Sequence, residues 1–589
     1  MGARLLDGEN AKADEYALDL PRSALAELKY NNLTEVIDDF KKLTGEYPLK
    51  AELPELDDYH PNKIQCSYSR VCAFTRRLEN TLAVSVVRRL GEISQLGLIV
   101  LIYPTATHTR LEHSLGVYAT AVSYCNALWN DPINPLFKQL MTPAHLRTLL
   151  CAALCHDIGQ YGLAHDFEEA KKSVFDHTRL TIKVLTDGVV YKSLHDVLKN
   201  EWKVDPQKVA NILATNPNNL DQPITDRLLH TVIDSPIDAD KGDYLVRDSR
   251  KLGLSYGEGI DLERLVSCLT VTFRKEDDNR IFISAGVTEK GKIAAEAFGF
   301  ARYALFGSVY WHHTSRAMKS MLHYAIWEIL PSESDISAHM EFSRKFEDFV
   351  LNKLQEKKEE QQDFDFMTPP KLPYAAQLSQ GDQQILKWLH RITTDAGKDL
   401  ISLMLSRQVF KRLMVVSHAK EPDLWLELKN IRNLFINFKD FLDFQKIFQR
   451  MLIQEITSIN LDEILDQIPM ASVLKKSEIE EIKAMQGLKK VLVTIDIPFA
   501  RPGTTVPLQY LSEERVKGKR LIGKVASLED SIVWQAISTR FVESVGKARI
   551  FVHPKYAKYF EILIPHENLV RKLRAAEEEL KIEIARRNK

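Results

Sequence analysis

The chain has 589 residues, which is more than one compact core needs. It is 45% hydrophobic and 27% charged, a composition that is typical of a globular protein and excludes wholesale disorder. Its 79 lysines and arginines balance 80 aspartates and glutamates, which gives a net charge of -1. This charge does not indicate a nucleic-acid partner, although it does not exclude such a partner. No apolar run approaches the roughly 20 residues that cross a bilayer, and the N-terminus lacks the apolar core of a signal peptide. We therefore expect a cytoplasmic protein with no membrane partner.

Four segments follow one another along the chain and together predict a mainly α fold. Residues 1–60 form an N-terminal lead-in whose prolines break any long element. Over 61–335, apolar residues recur at three- and four-residue steps and predict a helical core domain. Residues 336–486 indicate a helical extension, with an exposed connector near 351–377 where a charge run meets prolines. Residues 487–589 alternate strand-like and helical runs, which predicts a small α/β unit that ends in a charged helix.

One β-rich stretch interrupts the helical domain at LVSCLTVTFRKEDDNRIFISAGV. Two strand-like runs flank the turn-forming residues Asp277, Asp278 and Asn279. We expect a β-hairpin at this place.

Histidines and aspartates occur beside apolar helical sequence at three places. His113 begins an apolar helix face, His156 and Asp157 end the run LLCAALCHDIG, and the segment DSPIDADKGDYLVRDS crowds five aspartates together. A carboxylate in apolar surroundings costs several kcal/mol unless it is paired or binds a cation. Each piece alone is more typical of a hydrogen-bonded helix end or a core histidine, but their order is more specific. Imidazole and carboxylate donors together suit one divalent ion per site: manganese, iron, zinc or magnesium.

These blocks resemble a known family. QLGLIVLIYPTATHTRLEHSLGVYATA, CHDIGQYGLAHDFEE and IDADKGDYLVRDS are similar, in this order, to blocks of the HD-domain superfamily of metal-dependent phosphohydrolases. Within it the chain resembles the deoxynucleoside triphosphate triphosphohydrolases. The resemblance covers residues 90–254 and becomes fainter toward the C-terminus. It implies a helical HD-domain core.

The resemblance assigns roles to single positions. It implies that the metal ligands are His113, His156, Asp157 and Asp240. It implies that the catalytic group beside the triphosphate is His165, His177 and Glu168, and that the substrate contacts are Gln95, Leu96, Arg110, Lys241, Tyr244, Asp248 and Arg316. From the residues alone, Arg110 and Lys241 are better explained as surface ion-pair partners, and the other side chains as packed, capping or solvated.

One residue departs from the family pattern. Gln160 follows HDIG where the animal enzymes have a histidine, and glutamine cannot carry a proton. Either His165 or His177 takes over as general acid, or turnover is slow, or the activity differs.

The reaction that the resemblance implies is attack of water on the α-phosphorus of a deoxynucleoside triphosphate, giving a deoxynucleoside and inorganic triphosphate. Another phosphohydrolase of the HD type, acting as a nucleotidase, phosphodiesterase or nuclease, is the first alternative. A nucleotide-sensing scaffold with weak catalysis is the second. The resemblance also implies a homo-oligomer, a tetramer or hexamer, switched by a nucleotide effector. Such an enzyme would serve deoxynucleotide pool balance or antiviral defence.

Overall fold

The structure is a computed structural model, and it describes twelve parts of the chain. These are residues 49–57, 59–67, 70–275, 280–354, 377–434, 438–460, 474–484, 490–497, 508–516, 519–535, 537 and 545–587. The lead-in up to residue 48, the expected turn at 277–279 and most of the connector near 351–377 lie outside the described residues.

Helices dominate the described residues, so the prediction of a mainly α fold with a helical core is confirmed. The first helices are α1 (Leu49–Glu52), α2 (Arg76–Ala83), α3 (Ser85–Arg88), α4 (Arg110–Trp129), α5 (Leu136–Leu140), α6 (Pro143–Cys155), α7 (Ala164–Phe175) and α8 (His177–Thr186). They are followed by α9 (Lys192–Asn200), α10 (Pro206–Ala214), α11 (Ile224–Ile233), α12 (Ala239–Lys251), α13 (Leu262–Ser267), α14 (Lys292–Leu305) and α15 (His313–Trp327). The later helices are α16 (Ile336–Leu354), α17 (Gln380–Ile392), α18 (Asp395–Leu405), α19 (Pro422–Leu434), α20 (Phe438–Ser458), α21 (Lys476–Ala484), α22 (Ala557–Leu563) and α23 (His566–Arg587).

Three small sheets accompany the helices. Strands β1 (Lys63–Ser67) and β2 (Arg70–Ala73) form an antiparallel pair. The second sheet has the order β3-β4-β7-β8 and contains β3 (Leu269–Lys275), β4 (Ile281–Thr288), β7 (Gln509–Val516) and β8 (Lys519–Ser527). The third has the order β5-β9-β6 and contains β5 (Lys411–Ser417), β6 (Val493–Asp496) and β9 (Lys547–Val552). Antiparallel pairing of β3 with β4 confirms the predicted hairpin strands.

Two of the sheets join parts of the chain that the sequence separates. Strand β7 pairs in parallel with β4 of the helical core, and β9 pairs with β5. The expectation of helices throughout 336–486 is wrong at β5. Its short apolar run Leu413–Val416 fits a strand as well as a helix, and hydrogen bonds to β9 decide between the two.

The centre of the helical core is the contact of α4 with α6 and α12. Helix α4 begins with a capping box, because the Thr109 side chain accepts from the Glu112 amide and the Glu112 side chain accepts from the Thr109 amide. Gly116 lets α4 approach α12 closely, since a Cβ atom at this position would lie 1.8 Å from Oδ1 of Asp243. This approach brings the beginnings of α4 and α12 together.

Among the described residues, none of the helices has the length and apolar character that a membrane-spanning segment requires.

Candidate metal centre and active site

Three helices converge on one cluster of imidazole and carboxylate groups. His113 lies in the first turn of α4, His156 follows α6 as its C-cap residue, and Asp240 is the second residue of α12. Nε2 of His113 lies 2.9 Å from Oδ1 of Asp240, and Nε2 of His156 lies 4.0 Å from the same oxygen. Oδ2 of Asp157 lies 3.7 Å from Nε2 of His156. The structure thus brings the four predicted metal ligands together.

The cluster fits a divalent metal ion. Nδ1 of His156 donates to the carbonyl oxygen of Ala153 at 2.9 Å, which leaves a lone pair on Nε2. Nε2 is buried and has no hydrogen-bond partner among the described residues, although it faces the carboxylates of Asp157 and Asp240. A buried lone pair aimed between carboxylates is suited to a cation, and two nitrogen and two oxygen donors match the common divalent metals.

Asp243 holds the other side of the His113 ring. Its Oδ2 atom lies 2.9 Å from Nδ1 of His113, and Arg247 donates to both of its carboxylate oxygens at 2.9 Å. Burial alone would lower the pKa of His113, but the hydrogen bonds with Asp240 and Asp243 raise it to about 10. A bound cation would compete with that proton for Nε2.

Asp157 is surrounded by cationic groups. Nη1 of Arg110 donates to its Oδ2 at 2.8 Å, and Nε2 of His177 lies 3.5 Å from its Oδ1. Burial opposes ionisation of this carboxyl, but the nearby His156, His177 and Arg110 hold its pKa well below the usual range. Asp157 is therefore a carboxylate and is able to bind a metal.

A second cluster adjoins the first and contains the predicted catalytic group. Glu168 accepts hydrogen bonds from the Nδ1 and the backbone amide of His177, and its Oε2 lies 3.2 Å from Nδ1 of His165. The rings of His165 and His177 meet edge to face with centroids 5.2 Å apart. Burial opposes protonation of His177, but Glu168 and Asp157 raise its pKa to about 9. His177 therefore carries a proton at neutral pH beside Asp157.

Gln160 lies between the two clusters. Its Nε2 atom is 3.3 Å from Oδ1 of Asp157 and 3.5 Å from Nε2 of His165. The side chain is buried, and its Oε1 has no hydrogen-bond partner among the residues described. The departure from the family pattern thus lies inside the site.

Helix α12 carries predicted substrate residues along one stripe. Asp240, Tyr244 and Asp248 are four residues apart, so they share a face that extends roughly 12 Å from the metal cluster. Asp248 is buried, and it accepts from the Tyr310 hydroxyl at 2.5 Å, while Nε2 of His108 lies 2.8 Å from its other oxygen. Burial raises the pKa of Tyr244 to about 12, so its hydroxyl stays protonated.

Two further predicted contacts lie in a loop against the start of α7. Gln95 donates its backbone amide to the carbonyl of His108 at 3.0 Å, and Leu96 packs against the core. The next residue, Gly97, has φ of +52°, and a Cβ atom there would lie 2.9 Å from Oδ2 of Asp166. The loop therefore lies beside the helix that carries His165.

The two remaining cations have protein carboxylates as partners. Lys241 is buried, bonds to Asp238 and lies 3.8 Å from Asp234. Arg316 is 1% exposed and bonds to Asp496 and Glu169, and none of its hydrogen bonds among the described residues reaches a predicted metal ligand. The ion-pair explanation that the sequence left open fits Lys241, although its pair with Asp238 is buried and not at the surface.

Sequence reasoning missed three residues of the site, namely Asp243, His108 and Tyr310. Asp243 was recognisable in principle, because it lies three residues after Asp240 and therefore on the same side of a helix. His108 and Tyr310 gave no signal, since only the fold brings them to Asp248.

Comparisons with known proteins identify an HD domain in this chain. Residues 110–239 match the HD domain, and residues 260–367 match the HD associated region. An uncharacterised protein of Bacillus subtilis is 30% identical over 241 residues, which are 40% of this chain and 48% of that protein. The deoxynucleoside triphosphate triphosphohydrolase SAMHD1 homolog of Dictyostelium discoideum is 27% identical over 293 residues, 46% of this chain and 50% of that protein.

The human deoxynucleoside triphosphate triphosphohydrolase SAMHD1 is 26% identical over 259 residues, which are 40% of this chain and 39% of that enzyme. The chain spans about half the length of the curated relatives it matches first. The predicted resemblance is confirmed by these matches.

Proposed function

Because the chain carries an HD domain and an HD associated region, the framework of metal-dependent phosphohydrolases, we propose that it hydrolyses deoxynucleoside triphosphates to a deoxynucleoside and inorganic triphosphate. The observation that carries the proposal is the buried Nε2 of His156, which faces Asp157 and Asp240 and accepts no hydrogen bond from any residue that the structure describes. The similarity to named triphosphohydrolases supports the choice of substrate.

The metal would be held by His113, His156, Asp157 and Asp240. Once bound, a divalent ion supplies Lewis acidity toward a phosphoryl oxygen and lowers the pKa of water. Asp243 keeps the His113 ring in the tautomer that directs Nε2 to the site.

Residues beside the metal cluster serve the triphosphate. Arg110, bonded to Asp157, places a guanidinium next to the site, where it offsets charge that develops on the phosphate oxygens. His177 holds a proton between Asp157 and Glu168, and we assign it the protonation of the departing 5′ oxygen. His165, which also bonds to Glu168, is the second candidate donor for the same leaving group. Gln160 orients Asp157 and does not transfer a proton.

The sugar would lie along α12. Tyr244 and Asp248 extend from the metal ligand Asp240 on one helix face, and this spacing suits a nucleotide whose phosphates are at Asp240. Gln95 and Leu96 belong to the opposite loop, where an apolar side chain against the 2′ carbon would exclude a ribose hydroxyl.

A panel of nucleotides tests the proposal. Protein loaded with manganese, iron, zinc or magnesium is incubated with the four deoxynucleoside triphosphates, ribonucleotides, monophosphates, cyclic dinucleotides and nucleic-acid ends. Release of triphosphate from deoxynucleotides supports the proposal, whereas release of pyrophosphate or monophosphate alone favours another HD-type phosphohydrolase. Binding of deoxynucleotides without turnover favours the sensing scaffold, the alternative that Gln160 keeps open.

The proposal includes a homo-oligomer, a tetramer or hexamer, with a nucleotide effector, and a role in deoxynucleotide depletion for pool balance or antiviral defence. This part rests on the resemblance of the sequence to the deoxynucleoside triphosphate triphosphohydrolases. Light scattering coupled to gel filtration, with and without nucleotides, measures the assembly. A monomer under both conditions contradicts this part.

A further inference from the structure

The first turn of α7 presents two pairs of charged side chains on neighbouring edges. His165 and Glu168 face His177, whereas Asp166 and Glu169 face α15. The members of each pair are three residues apart and therefore share one edge of the helix. One backbone turn thus sets the position of both edges.

Helix α7 begins without a capping side chain. Its N-cap residue, Leu163, lies in the left-handed region with φ of 57° and makes no side-chain cap hydrogen bond. The helix also departs from helical geometry at Lys171. A short helix of this kind depends on tertiary contacts for its position.

Helix α15 supplies contacts to this first turn. Nζ of Lys319 lies 3.0 Å from Oδ1 of Asp166 and 3.1 Å from Oε2 of Glu169. Nε2 of His323 donates to the carbonyl oxygen of Asp166 at 2.9 Å. Arg316 bonds to the other carboxylate oxygen of Glu169. Three side chains of α15 therefore contact Asp166 and Glu169, which are three residues apart on α7.

Strand β6 fixes Arg316 from the opposite side. Nε of Arg316 lies 3.1 and 2.9 Å from the two carboxylate oxygens of Asp496, and its Nη2 also bonds to this carboxylate. Ser320 of α15 and Thr494 of β6 are joined through their hydroxyls at 2.9 Å. Arg316 is 1% and Asp496 4% exposed, so loss of the Asp496 charge would leave Arg316 buried with Glu169 as its remaining carboxylate partner, while Asp496 also lies 3.6 Å from Nη1 of Arg549.

We propose that Asp496 is a positioning residue for the reaction: through Arg316 and Glu169 it holds the first turn of α7 and thereby keeps Glu168 against His177. The inference rests on the proposed function, in which His177 protonates the leaving group. It makes the third sheet a support of the active site, although Asp496 contacts none of the metal ligands.

The first test separates rate from binding. Asp496→Asn should lower kcat about tenfold, because small displacements of reacting groups are costly, while KM changes less than about twofold and the bound metal stays constant. Asp496→Glu, which keeps the charge, should restore part of the rate. If Asp496→Asn fails to fold, Arg316→Lys provides the same test with the cation retained.

The second test asks whether the effect passes through Glu168. In a Glu168→Gln background the exchange of Asp496 for Asn should change kcat less than about twofold, because the positioned group is already absent. Independent losses that multiply in the double variant would overturn the inference.

The third test needs no substrate. Hydrogen exchange over 164–170 should accelerate at least about fivefold in Asp496→Asn relative to α9. The matched control is Glu55→Gln, which breaks another buried pair, with Arg77, and should leave α7 unchanged. A wild-type protein without triphosphohydrolase activity would refute the proposed function, whereas unchanged exchange in α7 would refute the role of Asp496.

Discussion

Asp243 holds His113 through a 2.9 Å contact between Oδ2 and Nδ1, and the opposite ring nitrogen of His113 faces Asp240 at the same distance. The carboxylate of Asp243 therefore sets the orientation of the imidazole, and the carboxylate of Asp240 would bind the same metal ion as His113. Arg247 donates hydrogen bonds to both carboxylate oxygens of Asp243 and thereby holds this carboxylate in place.

We predict that Asp243→Asn lowers the affinity for divalent metal about 10- to 100-fold, because a ligand that loses its oriented partner binds less tightly. Competition with a chromogenic chelator measures the affinity. Asp196→Asn, which removes an exposed acid of α9, serves as the control. Equal affinity of Asp243→Asn and wild type would show that Asp243 does not support the metal centre.

Close approach of α4 and α12 depends on Gly116. A Cβ atom would lie 1.8 Å from Oδ1 of Asp243 and 2.5 Å from Nη2 of Arg247. Gly116→Ala should therefore lower the free energy of unfolding by about 1–3 kcal/mol and weaken metal binding as well. Chemical denaturation measures the first effect. In the control Gly259→Ala the nearest atom would be 3.8 Å away, so a similar loss there would argue against the packing explanation.

His177 and Gln160 should differ in their effect on turnover. His177→Ala should lower kcat by roughly 10²- to 10⁴-fold, the range for loss of a general acid, whereas Gln160→Ala should cost about tenfold or less. Steady-state kinetics at constant metal content measures both. Comparable losses would mean that Gln160 has a direct part in the chemistry.

Asp382 gives the protein a pH-dependent weakness near the active site. It accepts from the Leu163 amide at 3.0 Å and from the Ser379 hydroxyl at 2.6 Å, and its burial raises its pKa from 3.8 to about 6. The folded state binds this proton more tightly than the unfolded chain, so the stability contribution is complete below about pH 4 and is lost as pH rises through about 6.

The variant Asp382→Asn has no ionisable group at this position, so it does not lose stability in this way as the pH rises. Its free energy of unfolding relative to wild type should therefore increase by up to about 1.4 kcal/mol per pH unit between about pH 4 and 6 and then stay level. Urea unfolding of both proteins in the presence of a chelator measures the difference. A difference that does not vary with pH would refute a raised pKa at Asp382.

The sequence was most informative where local pattern and chemistry coincide. The helical periodicity of the apolar residues predicted the helical core domain. The apolar run before His156 and Asp157 indicated that these two side chains lie against the core, as the structure shows. The hairpin strands β3 and β4 followed from their β-branched residues.

What the sequence could not reveal are pairings between distant segments. Strand β5 has a short apolar run of ambiguous period, and only its pairing with β9 makes it a strand. The family resemblance implied that Arg316 contacts the substrate, but Asp496, 180 residues away, accepts its hydrogen bonds. Such partners are set by tertiary packing and leave no trace in local spacing.

The most direct test of the account is hydrolysis of a deoxynucleoside triphosphate in water enriched in oxygen-18, with products resolved by mass spectrometry. Attack on the α-phosphorus with departure of the 5′ oxygen predicts one label in inorganic triphosphate, none in the deoxynucleoside, and no turnover by Asp157→Ala. Label in a nucleoside monophosphate, phosphate or pyrophosphate, or full activity of Asp157→Ala, would contradict the account.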